Sequence, residues 1–153
     1  MNKLILQNDK RLRITDQESG CCYLTCLAMQ QLYTNTYLSV DQINLLTDIA
    51  RQTGILRQDD YVLNLEAAIA QPAKYGMVPM VPNIVLLGSM QSKESVSPVL
   101  AVPCTVLFIQ KRITNAPASH FILYYGDSSL AYNPLPDYMI EGLITWYYYG
   151  IKF

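Results

Sequence analysis

The apolar residues of this chain change their spacing near its middle, from a helical period in the first half to continuous runs in the second. After a polar lead, Leu24, Leu27 and Leu32 fall near helical spacing within the segment 22–33. Such spacing is typical of one buried face of a helix. The pattern therefore predicts a first helix that begins at about Cys22.

Two further helices are predicted after it. The four residues that begin at Ser39, Ser-Val-Asp-Gln, form a capping-box pattern, and apolar residues follow on one helical face as far as Gly54. The third helix is predicted from about Asp60 to the region of Pro72 and Gly76, because proline and glycine both disfavour the continuation of a helix.

The second half of the chain is predicted to form strands. The proline-rich segment 77–103 indicates short strands with irregular connections. Segments rich in β-branched and aromatic residues follow at 105–113, 120–125, 130–133 and 144–148, and the second and third of these are joined by a Gly-Asp-Ser-Ser turn.

Helices followed by consecutive strands with short turns indicate an α+β domain, in which the helices pack on an antiparallel sheet. The length of 153 residues fits one domain, 1–153, and no linker or low-complexity segment divides it. A net charge of −1 offers no basic face, so we expect no nucleic-acid partner. The apolar run at 4–6 is too short for a signal peptide, and no segment has the length of a membrane span. We therefore expect a cytoplasmic protein, with export by another route left open.

Three residues supply the groups that nucleophilic acyl transfer requires. Cys22 stands at the predicted helix start, where the helix dipole and free backbone N–H groups favour a thiolate. His120 opens a strand, and Asn133 lies on the next strand, where an amide can hydrogen-bond an imidazole nitrogen. A thiol, an imidazole base and an orienting amide predict a Cys-His-Asn mechanism.

The same residues carry a resemblance to a known family. The segment 20–29, Gly-Cys-Cys-Tyr-Leu-Thr-Cys-Leu-Ala-Met, resembles the nucleophile helix of papain-like cysteine peptidases. It is most similar to the bacterial, bacteriocin-processing type that cleaves double-glycine leaders, and the Leu-Ala-Met match assigns the nucleophile to Cys22 rather than Cys21. The segments 119–126 and 132–134, with His120 and Asn133, resemble that family's histidine strand and its third catalytic position.

The resemblance covers about residues 17–148 and implies a papain-like fold in which the nucleophile helix packs on the C-terminal antiparallel sheet. It implies that Gln17, with the backbone N–H of Cys22, binds the oxyanion, with Gln7 as a distant alternative. It also implies a peptide or peptide-like substrate and no cofactor. Tyr23 stands where the family usually has a glycine after the nucleophile. The oligomeric state stays open.

Other interpretations of these residues stay open too. The fold could serve a cell-wall amidase or endopeptidase of the same superfamily, or a catalytically inactive binding module in which Tyr23 fills the cleft. Zinc would need ligands from the cysteines and His120, but only Cys21 or Cys22 with Cys26 has suitable spacing. We therefore expect no metal, and we expect Cys26 and Cys104 to be core residues.

Overall fold

The computed structural model describes residues 4–14, 17–79, 84–90, 104–113, 119–125, 130–133 and 143–152. Three helices come first: α1 (Gln17–Thr34), α2 (Val40–Gln52) and α3 (Leu65–Lys74). Five strands follow, namely β1 (Ile84–Met90), β2 (Cys104–Ile113), β3 (Ser119–Tyr125), β4 (Leu130–Tyr132) and β5 (Leu143–Lys152).

The first helix begins earlier than its apolar pattern indicates. It starts at Gln17 rather than at about Cys22, so the predicted start is wrong. The first turn of this helix includes Gly20, which costs only about 1 kcal/mol relative to alanine. Every residue from 23 to 31 is buried, so packing of the later turns outweighs that cost.

The second helix begins as its capping box predicts. The Ser39 hydroxyl oxygen accepts a hydrogen bond from the backbone N–H of Gln42 (3.2 Å), and the Gln42 side-chain oxygen accepts one from the backbone N–H of Ser39 (2.9 Å). These two bonds satisfy N–H groups that have no partner inside the helix. The helix ends at Gln52, before Thr53 and the left-handed Gly54 (φ 78°).

The third helix begins later than predicted, at Leu65 rather than about Asp60. Asn64 caps it by accepting a hydrogen bond from the backbone N–H of Ala67 (3.1 Å). Asp60 lies instead in the preceding loop, with a positive φ of 69°. Pro72 lies inside the helix, which ends at Lys74, between Pro72 and Gly76 as predicted.

The five strands form one sheet in the order β1-β5-β2-β3-β4, and every described pair is antiparallel. Helix α1 packs against β3 and β2 and also contacts α3. Leu123 of β3 and Tyr132 of β4 belong to the same buried cluster as α1. Among the described helices, none combines the length and apolar character that crossing a bilayer requires.

Candidate active site

Cys22 lies in the second turn of α1, as its sixth residue. The field of a helix dipole falls off beyond the first turn, and only the first four N–H groups lack an acceptor within the helix. The expectation that Cys22 benefits from a helix start is therefore wrong. Its backbone N–H has the carbonyl of residue 18 as its helical acceptor and is not a natural oxyanion donor.

Gln17 is the first residue of α1, five positions before Cys22. In a regular helix, five positions correspond to a rotation of about 140° and a rise of about 7.5 Å. The two backbone positions therefore lie on different sides of α1. The side chains of Gln17, Cys22 and His120 are outside the described part of the structure, and so is the distance between the Cys22 sulfur and the His120 ring.

Gln7 occupies an unusual environment for an amide. It is only 7% exposed, and within the described residues its side-chain oxygen is buried without a hydrogen-bond partner. A buried polar atom in that state costs about 1–3 kcal/mol, which is rarely tolerated without a structural or functional reason. Two residues earlier, the carbonyl of Ile5 accepts a hydrogen bond from the Tyr132 hydroxyl (2.6 Å). Gln7 thus belongs to a segment that contacts the residue next to Asn133.

His120 is the second residue of β3, where it pairs in register with Lys111 of β2. Asn133 directly follows β4 and is half-buried. Because Tyr132 pairs with Leu123 in an antiparallel ladder, the chain at Asn133 runs toward the amino end of β3. The backbone positions of Asn133 and His120 therefore lie near the same end of two neighbouring strands.

Tyr23, which follows Cys22, is fully buried among the three helices. Its hydroxyl donates a hydrogen bond to the Gln71 side-chain oxygen (2.5 Å), and the Gln71 nitrogen donates to the carbonyl of Leu46 (2.8 Å). Burial raises the pKa of Tyr23 well above its usual value, and the proximity of Cys26 raises it further. The phenol is therefore a neutral donor in the helical core and does not line an open cleft.

The described residues provide no support for a metal site. No group of three or more histidine, cysteine or acidic side chains that could hold a metal ion occurs among them. Cys26 is buried in the apolar cluster, as predicted for a core cysteine. The side chains of Cys21 and Cys104 lie outside the described part.

Comparison of the chain with protein-family models, with curated proteins and with solved structures finds no match. The function must therefore be inferred from the residues of α1, of β3 and of the segment after β4.

Sequence reasoning missed one residue of this region, Tyr132. The sequence pattern places it only within the segment 132–134, whereas in the structure its hydroxyl ties β4 to the amino-terminal segment. Its partner, Ile5, is 127 residues away along the chain and contributes a backbone carbonyl. No local pattern can reveal a hydrogen bond between positions so far apart.

Proposed function

We propose that this chain is a papain-like thiol hydrolase of the α+β class, a cysteine peptidase that cleaves peptide or amide bonds. The observation that supports this most is the packing of α1, which carries Cys22, against β3, which carries His120. A nucleophile and its base must come within hydrogen-bond reach, and two elements in direct contact satisfy the first requirement for that. The position of Asn133 after β4 supplies the third group.

In the proposed mechanism, the Cys22 sulfur attacks the carbonyl carbon of the scissile bond while His120 takes the thiol proton. The carbonyl π bond becomes an oxyanion, which collapses as the C–N bond breaks, and His120 delivers its proton to the leaving amine. Water, deprotonated by His120, then hydrolyses the thioester and releases the acid. Asn133 hydrogen-bonds the imidazole and holds it in the orientation that both steps need.

In this mechanism the helix dipole does not help to activate Cys22, because Cys22 lies beyond the first turn of α1. An imidazolium from His120 then has to supply nearly all of the stabilisation of the thiolate. This makes the dependence of the thiol on His120 the sharpest test of the mechanism.

The test is alkylation with iodoacetamide at about pH 6, followed by peptide mapping. A thiol with an ordinary pKa of about 8.5 reacts slowly at that pH, whereas a thiolate paired with an imidazolium reacts rapidly. We expect Cys22 to be labelled before Cys21, Cys26 and Cys104, and we expect His120→Ala to abolish that preference. The buried Cys26 is an internal control within the same helix. Equal labelling of Cys21 and Cys22, or a preference that survives His120→Ala, would overturn the proposal.

Two glutamines are candidates for the oxyanion donor. Gln17 follows from the family resemblance, with Gln7 as the distant alternative. The atom of Gln7 that is buried without a partner is its oxygen, an acceptor, so this environment does not by itself mark Gln7 as the oxyanion donor. Loss of one oxyanion donor costs about 3 kcal/mol, or roughly a hundredfold in affinity for a peptide aldehyde that forms a tetrahedral adduct with the thiol. Gln17→Ala and Gln7→Ala should therefore differ by about that factor in aldehyde affinity. Their rates of iodoacetamide alkylation should be equal, because alkylation forms no oxyanion.

The same chemistry would serve a cell-wall amidase or endopeptidase, which is the alternative substrate class within this proposal. A different class, an inactive binding or regulatory module, is favoured by one observation, the position of Cys22 five residues after the start of α1. The alkylation experiment separates the two classes, because a module has no need of a thiolate that depends on His120.

A further inference from the structure

An irregular amino-terminal segment, residues 4–14, runs along the helices and reaches the sheet; we call it the amino-terminal strap. Its apolar side chains pack against the buried cluster: Leu4, Ile5, Leu6, Leu12 and Ile14. One end of the strap meets β4, where the Ile5 carbonyl accepts the hydrogen bond from the Tyr132 hydroxyl (2.6 Å). Tyr132 is only 5% exposed, so water competes little for this bond.

The other end of the strap is held by α2. The Asn44 side-chain oxygen accepts a hydrogen bond from the backbone N–H of Arg13 (2.8 Å), and the Asn44 nitrogen donates to the carbonyl of Arg11 (3.0 Å). The Arg51 guanidinium also donates to the carbonyl of Arg13 (2.8 Å). The strap is thus attached to the helical layer at one end and to the edge of the sheet at the other.

Strand β4 needs such an attachment. It has only three residues, it lies at the edge of the sheet, and its register with β3 shifts between Leu123 and Tyr124. A ladder this short restrains the chain that follows it only weakly. The phenol of Tyr132 adds a restraint at the last residue of the strand, immediately before Asn133.

We propose that the amino-terminal strap is a positioning element of the candidate site, acting through the hydrogen bond from Tyr132 to Ile5 to hold Asn133 beside the amino end of β3. This inference rests on the proposed function, in which Asn133 orients His120. Tyr132 is a positioning residue and touches no reacting atom in this scheme. Loss of its hydroxyl leaves the ring packed but lets the backbone at Asn133 move.

The test compares the pH dependence of Cys22 alkylation in the unsubstituted protein and in three variants: Tyr132→Phe, Asn133→Ala and Tyr61→Phe. An oriented imidazolium lowers the pH at which the Cys22 thiolate forms, so Asn133→Ala should move the alkylation midpoint to higher pH. Tyr132→Phe should move it in the same direction and slow alkylation at about pH 6 roughly fivefold, the rate equivalent of one neutral hydrogen bond. Tyr61, which is 49% exposed, is the matched control, and its loss of a hydroxyl should leave the profile unchanged.

Each result has one meaning. A shift in both Asn133→Ala and Tyr132→Phe supports the inference. A shift in Asn133→Ala alone overturns it and leaves the proposed function standing, even if Tyr132→Phe unfolds at a lower urea concentration, because lower stability without a shift is a structural effect. No shift in Asn133→Ala removes the orienting role of Asn133, and the inference falls with it.

Discussion

Tyr23 illustrates how a single polar group is accommodated in the core. Its phenol is fully buried, yet its hydroxyl, the amide of Gln71 and the carbonyl of Leu46 form a continuous chain of hydrogen bonds. Buried polar groups are tolerated when they are paired, and this chain connects all three helices. Tyr23 therefore has a structural role in the helical core.

We expect Tyr23→Phe to lower the free energy of unfolding by about 1–3 kcal/mol, because the variant leaves the Gln71 oxygen buried without its donor. Urea denaturation followed by circular dichroism measures this change. Tyr61→Phe, at an exposed position, should alter the free energy by less than about 0.5 kcal/mol. A Tyr23→Phe variant as stable as the Tyr61→Phe control would mean that this hydrogen bond contributes nothing net to stability.

At the scale of elements, α2 is the helix whose boundaries depend most on its own residues. Its start is set by the Ser39 and Gln42 capping box, and its buried residues lie on one face, including Ile43, Leu46 and Ala50. Asp41 near the start and Arg51 near the end suit the helix dipole. Each of these signals acts between groups that are only a few residues apart in the sequence.

Ser39→Ala should therefore destabilise the protein by about 1 kcal/mol, since it removes the acceptor for the backbone N–H of Gln42. The unfolding midpoint in urea reports the loss, and the steepness of the transition should not change because the exposed surface on unfolding is the same. Gln52→Ala, an exposed substitution at the end of the same helix, is the control and should shift the midpoint little. Equal midpoints for the two variants would exclude a contribution from the cap.

At the scale of the whole molecule, one ion pair joins three separate parts of the chain. Arg51 of α2 donates two hydrogen bonds to the buried carboxylate of Asp60 (2.6 and 2.8 Å) and a third to the carbonyl of Arg13 in the strap. The bonds to Asp60 raise the pKa of Arg51 above its already high value, so the guanidinium stays charged. This pair holds Asp60 in the loop with its positive φ of 69°.

Asp60→Asn should lower the free energy of unfolding by about 1.5–3 kcal/mol, because it removes the buried carboxylate that accepts two hydrogen bonds from Arg51 and leaves the guanidinium only the longer ion pair with Asp48 (3.8 Å). Asparagine tolerates a positive φ at least as well as aspartate, so the loss reflects charge and not backbone strain. Thermal unfolding of the variant measures it. The matched control is Asp59→Asn, which removes the carboxylate of an exposed pair with Arg57 and should have little effect. Similar losses in both variants would contradict a special role for the buried pair.

The helix predictions succeeded or failed according to the range of the forces involved. The start of α2 was predictable because a capping box is a local hydrogen-bond pattern. The starts of α1 and α3 were not, because polar residues before Cys22 join the helix when the rest of it is buried, while Val62 pairs with Leu56 in a β-bridge and α3 begins only after its cap at Asn64. The catalytic proposal depends on the side chains of Cys22 and His120, and the alkylation experiment tests it.

By itself, the sequence determined the types of group available at the candidate site, the capping of α2 and the apolar segments that must be buried, because all three depend on residue chemistry or on neighbours within about four positions. Only the tertiary structure decided that Cys22 lies beyond the first turn of α1, that Tyr23 is a buried donor, and that the amino-terminal strap reaches Tyr132. The reason is that these outcomes depend on contacts between distant segments. The Ile5 carbonyl acquires its role only when folding brings it to the hydroxyl of Tyr132, 127 residues away.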